Sequence, residues 1–282
     1  MAAGLIEIKR RIKSVTNTKK ITKAMGLVAT SKLRKTRIEL DKNNNYYDSI
    51  KKVADELLKV IEDNDSIFFK GNKSDKKLYI VVSSDSGLCG GFNGNLALNL
   101  NEKVEGNKAD TLVMIVGQKG IPYIRKYGFD TVAEYVQIPD IPTVKEAKVI
   151  SEHAVKLYKD DEVGEVNIVY THFYSPIKQV VTIDKLLPLD RTQNFGRADI
   201  LIEPKGKEAV ENILEVFFRG KIFNSMIHSK VSEQSSRMQA MDGATKNAND
   251  LLDSLNIRYN RIRQTAITQE ISEIVGGAEA QK

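Results

Sequence analysis

A stripe of mostly apolar or small residues runs from residue 5 to residue 61, and its members lie alternately three and four residues apart. No proline interrupts it. The spacing predicts one helix of roughly 57 residues, about 85 Å long. One globular domain cannot cover a helix of that length, so the stripe requires a partner. Its members are Leu5, Ile8, Ile12, Val15, Lys19, Thr22, Gly26, Ala29, Leu33, Thr36, Leu40, Asn43, Tyr47, Ile50, Ala54, Leu57 and Ile61.

A second stripe with the same spacing lies near the other end of the chain, and no proline follows Pro204. A period of about 3.5 residues predicts that the two helices pair as a left-handed coiled coil. Because a globular insert separates them within one chain, they must run antiparallel. Two unrelated amphipathic helices are the alternative, but both stripes hold phase far beyond an ordinary helix of about 12 residues. The second stripe consists of Val210, Ile213, Phe217, Gly220, Asn224, Ile227, Val231, Gln234, Met238, Met241, Thr245, Ala248, Leu252, Leu255, Tyr259, Ile262 and Ala266.

Positive charge is concentrated in the first forty residues, which contain eleven Lys or Arg and two Glu. The whole chain has a net charge of +6, so more than the entire excess lies in the first helix. A solvated helix face usually mixes signs, whereas this face predicts an acidic partner. A basic coiled-coil nucleic-acid-binding protein is therefore one alternative, and a merely soluble basic face is another.

Composition argues against several classes of protein. No window approaches about 18 consecutive apolar residues, so no membrane-spanning helix is expected. The N-terminal run MAAGLIEIKRR lacks the apolar segment of a signal peptide. The single Cys89 argues against a disulfide framework, and three histidines with one cysteine leave little material for a metal site. These features favour a soluble protein of a reducing compartment.

Between the stripes, strand patterns alternate with helical ones, which is typical of a βαβ sheet covered on both faces. The predicted fold is therefore α/β, with a long antiparallel coiled coil of terminal helices (1–61 and 207–276) and an inserted Rossmann-like domain at 77–203. Residues 62–76 are expected to form a polar connection. The predicted strands are Leu78–Ser83, Thr111–Val116, Val166–Phe173 and an antiparallel edge at Gln179–Ile183, and the predicted helices are 96–104, 119–127 and 143–159.

A glycine-rich turn, SDSGLCGGFNG, follows the first predicted strand at 84–94. It lacks the lysine and hydroxyl of a P-loop, and its glycine spacing does not match the dinucleotide fingerprint. We therefore interpret the glycines as a tight strand-to-helix turn. Cys89 in this turn is interpreted as a small packing residue, and an enzyme that uses it as a nucleophile is the alternative.

The three histidines offer little evidence of catalysis. His153, His172 and His228 lie far apart in sequence, and none has an evident acid or thiol partner. Each is therefore interpreted as a structural or exposed residue. The sequence shows no arrangement for hydrolysis, phosphoryl transfer or redox chemistry.

Three parts of the chain closely resemble the gamma subunit of F-type ATP synthase. They are IKRRIKSVTNTKKITKAMGLVATSKLRK near the N-terminus, SDSGLCGGFNGNL in the insert, and SEQSSRMQAMDGATKNANDLL with YNRIRQTAITQEISEIVGGAEA near the C-terminus. The resemblance covers the full length, and the terminal motifs are long and specific. In size it resembles the bacterial form, without the extra segment of the chloroplast form.

The resemblance implies a non-catalytic rotor subunit that transmits torque between transmembrane ion flow and the catalytic sites of the beta subunits. The terminal helices would form a shaft inside the alternating alpha and beta subunits, and the insert would lie beside the epsilon subunit and the c-subunit ring. No cofactor and no nucleic acid are implied. The implied location is the cytoplasmic face of the cell membrane, reached only through the complex.

Residues of the first helix, and two residues just before the second helix, match positions that the family uses. Met25 in KITKAM matches the coupling contact with beta, and Lys23 lies on the same basic segment. Glu203 and Pro204 lie near the turn that matches the contact with the c ring and epsilon, although that stretch has little motif specificity. Shaft packing is the alternative for Met25.

Residues of the second helix match further positions of the family. Arg237, Gln264 and Thr268 match places where changes affect coupling. Arg263 and Gln264 match the pair that grips a loop of beta. Ordinary helix surface is the alternative for Arg263, Gln264 and Thr268.

Two positions depart from the family pattern. Gly26 follows KAM, where the family commonly has a polar or charged residue, and a mid-helix glycine costs about 1 kcal/mol relative to alanine. A locally softer shaft is therefore expected there. Ser86 stands in the glycine-rich turn where the family commonly has arginine, so the contact of that arginine is in doubt here.

Overall fold

Two long helices and a five-stranded sheet form the computed structural model, which describes residues 2–60, 67–189 and 207–280. Helix α1 spans Ala2–Val60 and helix α6 spans Lys207–Glu279. Along both helices, every stripe position whose side chain is described is buried or half-buried. Burial of a stripe at this spacing is what helix pairing requires, so the predicted phase of both stripes is confirmed. Leu57, Ile61 and Val210 lie outside the described side chains.

The described residues form two compact units, one made of those up to Ala29 with those from Met238 onward, and the other made of those between Thr30 and Arg237. In the first unit, Thr22 Oγ1 lies 2.8 Å from Thr245 Oγ1, and Gly26 lies against Met241. Because the α1 number rises while the α6 number falls, the helices of this unit run antiparallel.

The same direction holds in the second unit. Asn224 Nδ2 donates to Asn44 Oδ1 at 2.9 Å, and the ring of Tyr47 stacks on that of Phe217 with centroids 6.1 Å apart. The predicted antiparallel pairing of terminal helices is therefore confirmed. The division into three domains at the predicted boundaries stays a prediction.

The insert is a mostly parallel sheet with the strand order β3-β2-β1-β4-β5, in which only the β4–β5 pair is antiparallel. The strands are β1 (Lys77–Val82), β2 (Thr111–Val116), β3 (Asp130–Tyr135), β4 (Glu165–Phe173) and β5 (Gln179–Leu187). The shorter helices are α2 (Ile67–Lys70), α3 (Phe92–Val104), α4 (Ile121–Lys126) and α5 (Val144–Lys159). The sequence pattern missed α2 and β3 and ended β5 four residues early.

Alternate residues of the central strands enter two different cores. Tyr79 and Val81 pack with α3 and α4 on one face, whereas Leu78 and Ile80 pack with α5 and α6 on the other. The prediction of a sheet covered on both faces is therefore confirmed. Helix α6 contributes a second apolar row to the latter core, Leu214, Phe218, Ile222 and Met226, which is distinct from its stripe.

Local capping sets the start of α5. The Thr143 hydroxyl accepts a hydrogen bond from Lys145 N at 3.2 Å, and Thr143 N donates to Glu146 Oε2 at 2.7 Å. This reciprocal arrangement satisfies donors that the first helical turn leaves free. It fixes the predicted helix 143–159 to within one residue.

Candidate functional site

The glycine-rich turn joins β1 to α3 and is held by its own polar side chains. Ser84 N donates to Asn93 Oδ1 at 3.0 Å, and Asn93 Nδ2 donates back to Ser84 Oγ at 2.8 Å. Gly90 has a φ of 59°, a conformation that glycine adopts without steric cost. The interpretation as a strand-to-helix turn agrees with this geometry.

Cys89 lies beneath the turn and is only 3% exposed. Its Sγ lies 3.5 Å from Asn93 Nδ2 and 3.7 Å from Ser84 Oγ. Burial raises the pKa of the Cys89 thiol, which disfavours the reactive thiolate. The geometry therefore supports a packing role rather than a nucleophile.

Asp85 connects the turn to the loops that follow β2 and β3. Its Oδ1 accepts hydrogen bonds from Gln118 N and Gln137 N, both at 3.0 Å, and its Oδ2 accepts one from Ile138 N at 2.9 Å. Three backbone donors on one carboxylate fix three loops at the carboxyl edge of the sheet. Sequence reasoning missed this role because the three donors are backbone groups.

The carboxyl edge of the sheet is covered by residues 224–237 of α6, which we call the polar segment. Ser229 Oγ donates to Val82 O at the end of β1 at 2.9 Å, and Ser232 Oγ donates to Thr171 O of β4 at 3.0 Å. The strand order reverses between β1 and β4, which is where open α/β sheets bind their ligands. In this chain, side chains of α6 therefore occupy that position.

A buried charge cluster ends the polar segment. Arg237 donates from Nε to Gly87 O at 3.1 Å and from Nη2 to Ser86 O at 2.8 Å. Arg237 Nη2 also lies 2.8 Å from Glu233 Oε1, and Lys230 Nζ lies 3.2 Å from Glu233 Oε2. All three charged side chains are at most 8% exposed. Arg237 thus ties α6 to the glycine-rich turn within the chain.

This arrangement bears on two predictions. The Arg237 guanidinium is engaged by carbonyls of its own chain, which gives Arg237 an internal role that the sequence did not suggest. The bonded atom of Ser86 is its backbone carbonyl, so this contact does not depend on which side chain stands there. A signal for the polar segment was present, because Ser225, Ser229 and Ser232 repeat at helical spacing in the sequence.

The structure brings together two histidines that are far apart in sequence. The rings of His172 on β4 and His228 on α6 stack with centroids 4.0 Å apart and an interplanar angle of 21°. Phe173 N donates to His228 Nδ1 at 3.3 Å. His153 lies elsewhere, on α5, with Nδ1 2.7 Å from the Tyr135 hydroxyl oxygen. No group of three or more His, Cys, Asp or Glu side chains among the described residues is arranged to hold a metal ion.

The predicted partner residues of α1 lie where its stripe meets its basic face. Met25 is half-buried and Lys23 is exposed. Gly26 is next to them, and a Cβ atom built on it would lie 3.5 Å from Met241 Cβ, an ordinary van der Waals contact. The close approach of α6 therefore does not require glycine at this position.

The predicted partner residues near the end of α6 are all solvent-facing. Arg263, Gln264 and Thr268 are exposed, and Thr268 Oγ1 donates only to Gln264 O of its own helix at 2.9 Å. Glu203 and Pro204 lie outside the described residues.

Comparison with known proteins identifies the family. A family model described as ATP synthase matches residues 4–281. The ATP synthase gamma chain of Clostridium botulinum (strain Eklund 17B) is 55% identical over 282 residues, which cover 100% of this chain and 99% of that relative. The chain belongs to the ATP synthase gamma-chain family. The gamma chain of Clostridium kluyveri (strain ATCC 8527) is 56% identical over 281 residues and 99% of both chains.

Solved structures agree with the fold of this gamma-chain family member. A rotor chain of the Euglena gracilis mitochondrial ATP synthase aligns with a TM-score of 0.75 at 16% identity, over 95% of this chain and 100% of that chain. A chain from the central stalk and c ring of the Tetrahymena thermophila enzyme aligns with a TM-score of 0.62 at 24% identity, over 79% of this chain and 99% of that chain. Both solved chains therefore share the fold of this chain over the aligned lengths.

Proposed function

We propose that this chain is the central-stalk rotor subunit of the F1 sector of an F-type ATP synthase, where it transmits torque between ion flow and the catalytic sites of the beta subunits. The observation that carries this proposal is the 55% identity to a named gamma chain along the full chain. The paired helices add support, because a torque-bearing shaft must resist twisting. In this function the chain is a non-catalytic subunit of a catalytic complex.

The proposed partners are the alpha and beta subunits, the epsilon subunit and the c-subunit ring. The basic excess of α1 suits contacts with acidic surfaces of beta. Exposed ion pairs contribute only about 0–1 kcal/mol each, which suits contacts that form and break at every step. None of the helices in the described part of the chain has the length and hydropathy that a membrane span requires. We propose that the chain is held at the cytoplasmic face of the cell membrane through its partner subunits.

The proposed partner contacts fall into two classes. Lys23, Met25, Arg263, Gln264 and Thr268 are available to contact the alpha and beta subunits directly, because none of them is buried in this chain. Arg237 is buried, so we propose that it affects coupling by holding the glycine-rich turn against α6. Glu203 and Pro204 remain proposed contacts to the c ring and epsilon.

A charge-reversal experiment tests the direct contacts. The paired variant Lys23→Glu with Arg263→Glu, assembled with its partner subunits in membrane vesicles, is expected to transport fewer ions per ATP hydrolysed. Lys103→Glu with Lys126→Glu is the matched control, since it makes the same charge change at exposed positions of α3 and α4. Full coupling in the first pair would contradict the proposed contacts.

The basic face of α1 also favours testing a second candidate, binding of nucleic acid. A gel shift titrated with salt distinguishes the two functions, because a nucleic-acid binder loses affinity steeply as salt rises. We expect the chain to assemble with alpha, beta and epsilon partners and to give no salt-sensitive gel shift.

A further inference from the structure

The stacked histidines lie inside a polar junction between α6 and strand β4. Tyr170 and His172 occupy alternate positions on β4, and Tyr174 directly follows the strand. The His172 ring lies 4.5 Å from the Tyr174 ring and 6.0 Å from the Tyr170 ring. His228 of α6 stacks on His172 and is 5% exposed. The junction therefore stacks a half-buried imidazole of the strand on a buried imidazole of the helix.

The hydrogen bond at His228 shows which ring nitrogen carries no proton. Phe173 N is a donor, so His228 Nδ1 must accept, and an imidazole nitrogen accepts only when it carries no proton. The bond thus requires the neutral ring. A protonated Nδ1 would face the amide N–H of Phe173, donor against donor, and the bond would be lost.

The acidic group beside the histidine pair is already engaged by other side chains. Lys221 of α6 and Asp184 of β5 form an ion pair of 2.6 Å beside it, and the Tyr170 hydroxyl also donates to Asp184 at 3.2 Å. Helix α1 presents Tyr47, whose ring lies 5.7 Å from Lys221 Nζ. Burial raises the pKa of both Tyr47 and Tyr170 well above the usual value, so both are neutral. One imidazolium would leave the pocket with a net positive charge, and two would repel each other at 4.0 Å.

The electrostatic environment agrees with this geometry. Burial, followed by the neighbouring His172 and Lys221, lowers the pKa of His228 to about 3. Burial and Lys221 also lower the pKa of His172, although Asp184 acts in the opposite direction. Both rings are therefore mainly neutral near pH 7, and between about pH 3 and pH 6.5 His228 binds a proton only when the junction opens.

We propose that the His172–His228 stack is an acid-sensitive latch that holds the polar segment of α6 on the end of strand β4 and releases it when the pair is protonated. Release would break the Phe173–His228 bond first and then expose the neighbouring bond from Ser232 to Thr171 O. In acid, α6 would thus loosen from the sheet. The pairing of α6 with α1 would not respond in the same way, because the two stripes contain no histidine.

Hydrogen exchange of the full chain tests the latch. Protection of a peptide spanning residues 168–178 is measured at pH 7.5 and pH 5.0, with correction for the pH dependence of intrinsic exchange. Wild-type protection is expected to fall at least about tenfold, while His228→Asn, whose amide oxygen can accept from Phe173 N without titrating, keeps its protection. His153→Asn is the matched control, since it removes a histidine outside the junction and should behave as wild type.

Two outcomes would overturn the latch. One is an equal loss of protection in wild type and His228→Asn, which would mean that other groups sense the acid. The other comes from nuclear magnetic resonance of the wild-type imidazoles, which needs no variant to fold. Protonation of His228 with unchanged protection of residues 168–178 would show that the bond to Nδ1 does not hold the junction.

Discussion

At the scale of single residues, two positions show that the structural role of a residue cannot be inferred from its type alone. Gly26 lies in the helix stripe without any close approach that demands glycine. Asp85 lies in a turn that resembles a ligand loop, yet its carboxylate is used entirely by backbone donors of neighbouring loops. Gly26 can be replaced without a steric clash, whereas replacement of Asp85 removes the acceptor of three backbone hydrogen bonds.

Replacement of Gly26 by alanine is expected to raise the free energy of unfolding by about 1 kcal/mol, because alanine lowers the entropy cost of the helix. Urea unfolding followed by circular dichroism measures the change. Gly243→Ala is the matched control, as Gly243 lies on α6 with open space around it. A smaller gain at Gly26 than at Gly243 would measure the crowding against Met241, and a loss at Gly26 would contradict the steric argument.

Replacement of Asp85 by alanine is expected to cost about 1–3 kcal/mol of unfolding free energy, since it removes the acceptor for three backbone N–H groups. Asp85→Asn retains one oxygen and should lie between alanine and wild type. The same urea titration measures both variants. Equal stability of all three proteins would show that water replaces the carboxylate without loss.

At the scale of elements, α6 packs against α1 with one face and against the sheet with another. Its stripe meets α1, while Leu214, Phe218 and the polar segment meet the sheet. The packing against the sheet depends on buried hydroxyl and charged groups, each of which requires a partner in a fixed position. The junction between helix and sheet should therefore be sensitive to loss of a single polar group.

Replacement of Arg237 by alanine is expected to lower the free energy of unfolding by about 3 kcal/mol or more, because it leaves Glu233 buried with Lys230 as its remaining cation. Arg237→Lys keeps the charge without the planar fork and should lose less. Denaturant unfolding checks both variants. A stable Arg237→Ala protein with impaired coupling would instead favour direct contact of this residue with a partner subunit.

The stability of the chain is expected to fall as pH decreases below about 6.5. The pKa of His228 is lowered to about 3 in the folded chain, whereas an unfolded histidine titrates near 6.5, so the unfolded state binds more protons between these values. The contribution of neutral His228 to the free energy of unfolding is complete above about pH 6.5. It decreases by roughly 1.4 kcal/mol for each pH unit between about pH 6.5 and pH 3. Urea midpoints at several pH values measure it, and a His228→Asn protein with the same slope would contradict the assignment.

The elements that the sequence predicted well are those whose apolar residues follow one simple pattern, either a helical period or a continuous run. The heptad stripes were correct because every third to fourth residue enters a helix interface, and the strand Thr111–Val116 was correct because its continuous apolar run is buried on both faces of the sheet. Strand β3 was missed because it is an edge strand whose residues alternate between exposed and half-buried. The polar segment was missed because serine and histidine are usually surface residues, and their burial here depends on strand ends that are distant in sequence.

At the scale of the whole molecule, buried positions of α6 stop before the helix does. The last stripe position is Ala266, and residues 267–280 are all exposed, including Ile271 and Ile274. The final turns therefore stabilise nothing within the described part of the chain. An exposed apolar helix end is a surface for a partner protein, in agreement with the proposed shaft.

Truncation after Ala266 is expected to change the free energy of unfolding by less than about 0.5 kcal/mol, because the removed residues bury no side chain in the chain. The same truncation should weaken coupling between ATP hydrolysis and ion transport in the assembled complex. Truncation after Asn247 is the contrasting variant, since it removes the buried Ala248 and Leu255 and should destabilise the chain itself. Thermal unfolding and ion transport in vesicles measure the two effects, and full coupling after the shorter truncation would count against the rotor proposal.

The occupied carboxyl edge of the sheet has a consequence for the portability of the insert. A fragment that ends at residue 189 would keep all five strands but lose the serines that bond Val82 O and Thr171 O and the apolar row that closes one core. Such a fragment could not be transplanted into another protein as a self-sufficient module. The insert and α6 therefore form a single structural unit. Any insertion or exchange within the insert has to preserve the surface on which α6 packs.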